Sequence, residues 1–133
     1  MAIQYSATHR TNNVADISTQ ASTTANLLIY TGAQPATCAT AASGTLLVTL
    51  PMSNPIGTTT SGVLTMSAIT SANTASAGTA GYWRICTSSA GTTVIAQGAC
   101  AVSGSDLNFA GGIIWTLGET IGVTSFTITA NGA

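Results

Sequence analysis

Apolar residues along this chain follow two rhythms, one before residue 25 and one after it. Between Ile3 and Ser22 the positions Val14, Ile17 and Ala21 recur at spacings of three and four, the period of one helix face. Thr, Ser and Asn fill the rest of that stretch and are weak helix formers. The pattern therefore predicts a short helix that depends on packing, with an extended arm as the alternative. From Asn26 onward, short runs of β-branched and aromatic residues are bounded by Gly, Pro, Asn and Ser, the punctuation of an all-β domain. The predicted strands are Asn26–Thr31, Thr45–Leu50, Val63–Ile69, Ala80–Thr87, Thr92–Gln97, Ala99–Ser103, Ile113–Leu117 and Thr120–Thr129. Gly32–Pro35, Pro51–Gly57 and Ser89–Gly91 read as the breaks between them. The organisation expected is an N-terminal arm or short helix over 1–25 and a β-sandwich domain of about eight strands over 26–133. No repeat at a fixed period is present, which argues against a solenoid or a propeller.

Side-chain parity adds detail to two of these strands. In Thr120–Thr129, Ile121 and Val123 fall on one face and Phe126 and Ile128 on the other, so a regular strand cannot bury all four. A bulge or a passage between sheets near Thr124 and Ser125 returns them to the interior. In Val63–Ile69, Leu64 and Met66 face the core while Thr65 and Ser67 face water or a partner. Tyr82 and Trp83 are adjacent, so one points inward and the other outward.

Charge changes the picture most. Only Arg10, Asp16, Arg84, Asp106 and Glu119 are charged among 133 residues, and lysine is absent. A soluble domain devotes roughly a quarter of its residues to these types, so Ser, Thr, Asn, Gln and backbone must wet this exterior. Such a surface lacks the repulsion that keeps small proteins apart, which suits a protein docked against a partner. Two scattered arginines are too few for phosphate contacts, so nucleic acid is not an expected partner. Hydrophobic residues make up 45% of the chain, yet no run approaches the roughly 18 apolar residues of a spanning helix. The opening MAIQYSATHR carries no secretory pattern, and cytoplasmic synthesis is the expectation.

The stock for chemistry is small. Cys38, Cys86 and Cys100 form an odd set without CxxC spacing, which predicts neither a disulfide framework nor a zinc site. If Ser88–Gly91 turn a hairpin, Cys86 pairs near Thr93 and Cys100 stays out of its reach. His9 has no nucleophile or orienting group in sequence view. Asp106 and Glu119 sit in turn-like contexts, where carboxylates cap backbone N–H groups; a glycosidase pair made of the two is the weaker alternative. Glycines lack the phosphate-cradling spacings, and no acidic loop offers calcium ligands. No catalytic, cofactor-binding or metal residue is expected. Tyr5 is an aromatic on a tethered segment, the kind of residue that anchors an interface. With His9, Arg10 and the body's only cation, Arg84, it makes up the candidate contact set.

Several phrases of the body carry a likeness: Leu28-Ile29-Tyr30-Thr31-Gly32-Ala33-Gln34-Pro35, Gly44-Thr45-Leu46-Leu47 through Pro55, and Ala80-Gly81-Tyr82-Trp83-Arg84 with Gly91 and Val94. Ser103-Gly104-Ser105-Asp106-Leu107-Asn108-Phe109 and the TIGVTSFTIT of Thr120–Thr129 complete it. In order and texture these resemble the small capsid decoration, or cement, proteins of tailed bacteriophages. The resemblance implies a jelly-roll-like antiparallel β-sandwich on the capsid exterior of the virion. There it would clamp neighbouring subunits of the major capsid protein, as a homo-oligomer on the lattice. A receptor- or carbohydrate-binding β-domain of a phage fibre or adhesin is the competing expectation, and an enzyme is not expected.

Overall fold

The computed structural model describes residues 3–21 and 23–131. The leader forms a helix rather than an arm: α1 spans Ala7–Ala21. Ser6 starts it. Its Oγ accepts the His9 N–H at 3.1 Å and its carbonyl accepts the Arg10 N–H at 3.0 Å, so one side chain satisfies a donor that the first turn leaves free. The hydroxyls of Thr11 and Thr19 donate back to the carbonyls of Ala7 and Ala15, so both hydroxyl donors find a partner within the helix. Val14 and Ala21 are buried and Ile17 is half-buried, as the three-and-four spacing predicts. Among the described residues no helix is long and apolar enough to cross a membrane.

Everything else that is regular is strand. The strands are β1 Asn26–Thr31, β2 Leu46–Pro51, β3 Gly57–Thr60, β4 Val63–Met66, β5 Ala72–Asn73, β6 Gly78–Cys86, β7 Val94–Ala101, β8 Leu107–Asn108, β9 Ile114–Trp115, β10 Thr120–Ile121 and β11 Thr127–Thr129. A main sheet runs in the order β2-β1-β6-β7-β8, with β9 pairing the start of β6; β5 and β10 make a two-stranded sheet, and β11-β4-β3 a three-stranded one. All pairings are antiparallel except β7 with β8. The protein is thus mostly β with a single short helix, in agreement with the all-β expectation.

Three differences from the expected strands have local causes. β3 is not among the expected strands: Gly57 closes the expected Pro51–Gly57 break, and Gly57-Thr58-Thr59-Thr60 holds no apolar side chain to signal a strand. It forms because a two-residue turn pairs it with β4: Ser61 has φ 50° and Gly62 φ 81°, the backbone of a tight hairpin of the primed type, and Thr60 faces Val63. Next, β7 is continuous where two strands separated at Gly98 were expected. Gly98 stands opposite Trp83, and a Cβ there would lie 2.7 Å from both the indole Cζ2 and the Asp106 Oδ2. The glycine admits a ring instead of ending a strand. Finally, the strand expected over Val63–Ile69 stops at Met66, and Ile69 makes only an isolated bridge to Met52.

The parity argument for the last segment holds. Thr120–Ile121 pair with β5 and Thr127–Thr129 pair with β4, so the chain changes sheet between them. Ile121 and Phe126 are buried in the main core, and Val123 and Ile128 pack against it.

The main sheet is covered on both faces. Leu27, Ile29, Trp83 and Ile85 point into the main core with Leu47, Leu50, Leu107, Phe109 and Trp115. Trp83 meets Phe126 edge-on at 4.9 Å, and Phe109 meets Trp115 the same way at 5.0 Å. On the opposite face Leu28, Tyr30, Tyr82 and Cys86 form a second cluster. Adjacent Tyr82 and Trp83 do point to opposite faces of the sheet, but both are buried, because the second face is covered as well. A third cluster joins Val14 and Ala21 of the helix to Ile56 and Leu64, seating α1 on β3 and β4. Each fully buried Leu or Ile contributes about 1.5–3 kcal/mol relative to exposure.

Candidate functional site

The outer face of the main sheet is roofed by the irregular stretch from Gly32 to Thr45, and three polar side chains rising from β6 and β7 hold that roof. Tyr82 Oη donates to the Ser43 carbonyl at 2.6 Å and accepts the Ser43 N–H at 3.1 Å. Gln97 Nε2 donates to the Pro35 carbonyl at 2.7 Å. Arg84 donates from Nη2 to the Thr40 carbonyl at 2.8 Å and from Nε to Gln97 Oε1 at 3.1 Å. These residues stand two apart on β6 and directly opposite on β7, so strand alternation and register bring all three to one face. Tyr30 stacks on Tyr82 at 5.1 Å and 8°, and the Arg84 guanidinium lies 5.8 Å from the Tyr82 ring centre.

Arg84 is only 2% exposed. This member of the expected contact set therefore lies beneath the roof and not on the open surface. Beside it opens a cleft of about 360 Å³ lined by Cys38, Ala39, Thr40, Ala41, Ala42, Arg84, Gly91, Thr92 and Val94. Burial raises the Cys86 thiol above its usual range against the opposing pull of Arg84, and burial likewise raises Tyr30.

The other three residues of the expected contact set lie on or next to the helix. Tyr5 is 43% exposed and stacks against exposed His9, ring centres 4.8 Å apart. Arg10 turns back instead. Its Cβ and Nη1 pack against Gly62, and its buried Nε has no hydrogen-bond partner among the described residues. Thr11 Oγ1 accepts the Gly62 N–H at 2.9 Å, so the first turns of α1 are tied to the β3–β4 hairpin. The structure therefore groups Tyr5 with His9 on the exterior, and places Arg84 separately under the roof.

Asp106 and Glu119 act as turn closers. Asp106 Oδ2 accepts the Ala99 N–H at 3.0 Å and Glu119 Oε2 the Thr116 N–H at 2.8 Å. They line different clefts, Asp106 one of about 400 Å³ with Trp83, Ser105, Thr127 and Thr129, and Glu119 one of about 310 Å³ with Phe109 and Trp115. The three thiols are free. Cys86 belongs to the outer-face cluster and Cys100 to the main core, so the sheet itself separates them. Burial and the Asp106 carboxylate push the Cys100 thiol up to about 12, which leaves it inert as a nucleophile at neutral pH. Among the described residues no three His, Cys, Asp or Glu side chains gather as metal ligands.

Sequence reasoning missed Ile114 and Leu117 as exterior residues. They are 79% and 70% exposed, flank buried Trp115, and so place two large apolar side chains in water within four residues. Alternation carries the signal for Ile114 alone, since an inward ring at 115 turns 114 outward; Leu117 lies past the end of β9, where alternation no longer applies. Comparison with known protein families, with curated proteins and with solved structures finds no match to this chain.

Proposed function

We propose that this protein is a non-enzymatic structural component of a virion. In this reading it is a decoration protein of a tailed bacteriophage that sits on the capsid exterior and stabilises contacts between major capsid subunits. Its strands would form a jelly-roll-like β-sandwich, and it would act as a homo-oligomer on the lattice. The observation that carries this reading is the surface. Tyr5 beside the helix and Ile114 and Leu117 on the β-rich body are exposed on a chain with only five charged residues, which favours broad, dry and permanent contact. A cement protein needs complementary surface in place of an active site, and stabilises the shell because it binds only the assembled form. Repetition over a lattice turns modest contacts into lasting ones. Electron microscopy of purified particles, with density for this fold on the capsid exterior, is the expected result; particles that lack the protein altogether would remove the proposal.

A second reading has one observation in its favour. Trp83 Nε1 is buried without a hydrogen-bond partner, beside the cleft that Ser105, Asp106, Thr127 and Thr129 line with hydroxyl and carboxylate groups. An unpaired donor near such groups suits a hydroxyl-rich saccharide, as a receptor-binding domain would require. A glycan array with a saturable signal that Asp106→Asn abolishes would favour this reading over the first.

A further inference from the structure

We infer that the cleft over Arg84 is a receptor for a single carboxylate, supplied by an acidic side chain of the protein on which this chain docks. The source of the carboxylate rests on the docking proposal above; the site itself does not. A guanidinium taken out of water costs several kcal/mol unless an anion or a full set of acceptors compensates it. Arg84 is nearly enclosed, yet its polar contacts are neutral: the Thr40 carbonyl, the Gln97 amide oxygen and the face of Tyr82. The two carboxylates of the β-rich body line other clefts and are bonded there, Asp106 to the Ala99 N–H and Glu119 to the Thr116 N–H. Arg84 Nη1 makes no hydrogen bond among the described residues, although Nε and Nη2 do. The cation is therefore held in place by two bonds, with donor capacity left over.

The walls of the cleft narrow the ligand class. Apart from Arg84 they carry no charged side chain, and Ala39, Ala41, Ala42, Gly91 and Val94 make them small, with Thr92 among the polar residues. One cation matches one negative charge. A phosphate with nearly two charges calls for several cations or a row of free backbone N–H groups. A carboxylate also fits the planar guanidinium geometrically, and about 360 Å³ admits an Asp or Glu side chain with room for its methylenes. Enclosure under the roof makes such a pair far less sensitive to screening than one on the surface.

The chain holds only two arginines, so arginine side-chain nitrogen resonances report each site separately. Nitrogen-15 spectra of the protein are recorded while N-acetyl-glutamate amide, N-acetyl-glutamine amide, acetate or sulfate is added at constant ionic strength. The expected result is a saturable shift at Arg84 and none at Arg10 with the glutamate derivative and with acetate, half-saturating on the order of 10 mM. The glutamine derivative gives no shift. In Arg84→Lys, followed through the backbone amide shifts of Thr40 and Thr92 on the cleft wall, the half-saturating concentration rises at least about fivefold, because the ammonium cannot present a fork. Ala42→Leu fills the cleft from the exposed roof without touching the guanidinium, and abolishes the shift while the fold persists. Equal shifts at both arginines, no shift at all, or tighter binding of sulfate than of either carboxylate overturns the assignment. Particle microscopy decides the docking proposal independently of this titration.

Discussion

The phenol of Tyr82 closes a two-way hydrogen bond with the backbone of Ser43, donating to its carbonyl and accepting its N–H. One oxygen thereby satisfies both main-chain groups of a residue in an irregular roof, from a strand 39 positions away in sequence. Tyr82→Phe keeps the ring and its stacking on Tyr30 but leaves both Ser43 groups without a partner. The expected cost is about 1–3 kcal/mol in urea unfolding, together with faster amide exchange at Ser43. Unchanged exchange there would show that water replaces the phenol at no cost.

Gly98 gives a second expected outcome. A methyl group at this position meets the Trp83 ring and the Asp106 carboxylate at 2.7 Å, so Gly98→Ala destabilises by about 1–3 kcal/mol. Gly111 has open space around its Cα, and Gly111→Ala serves as the control, with a shift within about 0.5 kcal/mol. Thermal midpoints of the two variants make the comparison.

Stability falls on the alkaline side. The Cys100 thiol has an ordinary value of 9.0 and is pushed up to about 12 in the folded protein. Below 9.0 it is protonated folded and unfolded, and its contribution is fully present. Between 9.0 and about 12 the unfolded thiol has lost its proton and the folded one keeps it, so the folded state binds more protons and stability declines as pH rises. Cys86 and Tyr30, both raised by burial, add to the same slope. Urea midpoints from about pH 8 to about pH 11 drop steadily, and Cys100→Ala flattens part of the fall.

Ile114 and Leu117 separate docking from folding. Both are largely exposed, so Ile114→Asn with Leu117→Asn leaves the unfolding midpoint within about 0.5 kcal/mol. On the docking proposal, occupancy on particles falls severalfold, while moderate salt alone releases little of the parent protein because few ion pairs exist to be screened. Release by salt, or full occupancy of the double variant, would contradict that account.

What the chain announces about its fold is what short-range pattern can carry. Val14, Ile17 and Ala21 mark the helix face, and the parity break between Val123 and Phe126 marks a change of sheet. The β3 strand escaped because its residues bury almost nothing and owe their place to the Ser61-Gly62 turn and to β4. Gly98 looked like a breaker because a sequence does not display the ring lying across it. The burial of Arg84 is equally remote from local pattern: it depends on the roof over Tyr82, whose anchor at Ser43 is non-local. The turn-closing roles of Asp106 and Glu119, by contrast, depend on near neighbours and were legible.

The sheet change near the end of the described chain also bears on how the molecule comes apart. Residues 120–129 belong at once to the two-stranded sheet, through β10, and to the three-stranded sheet, through β11, while Phe126 between them leans on Trp83 of the main sheet. Neither minor sheet can open without loosening that ring from the largest core. The three sheets are therefore coupled into one cooperative unit, and their slowest-exchanging amides share a common opening free energy.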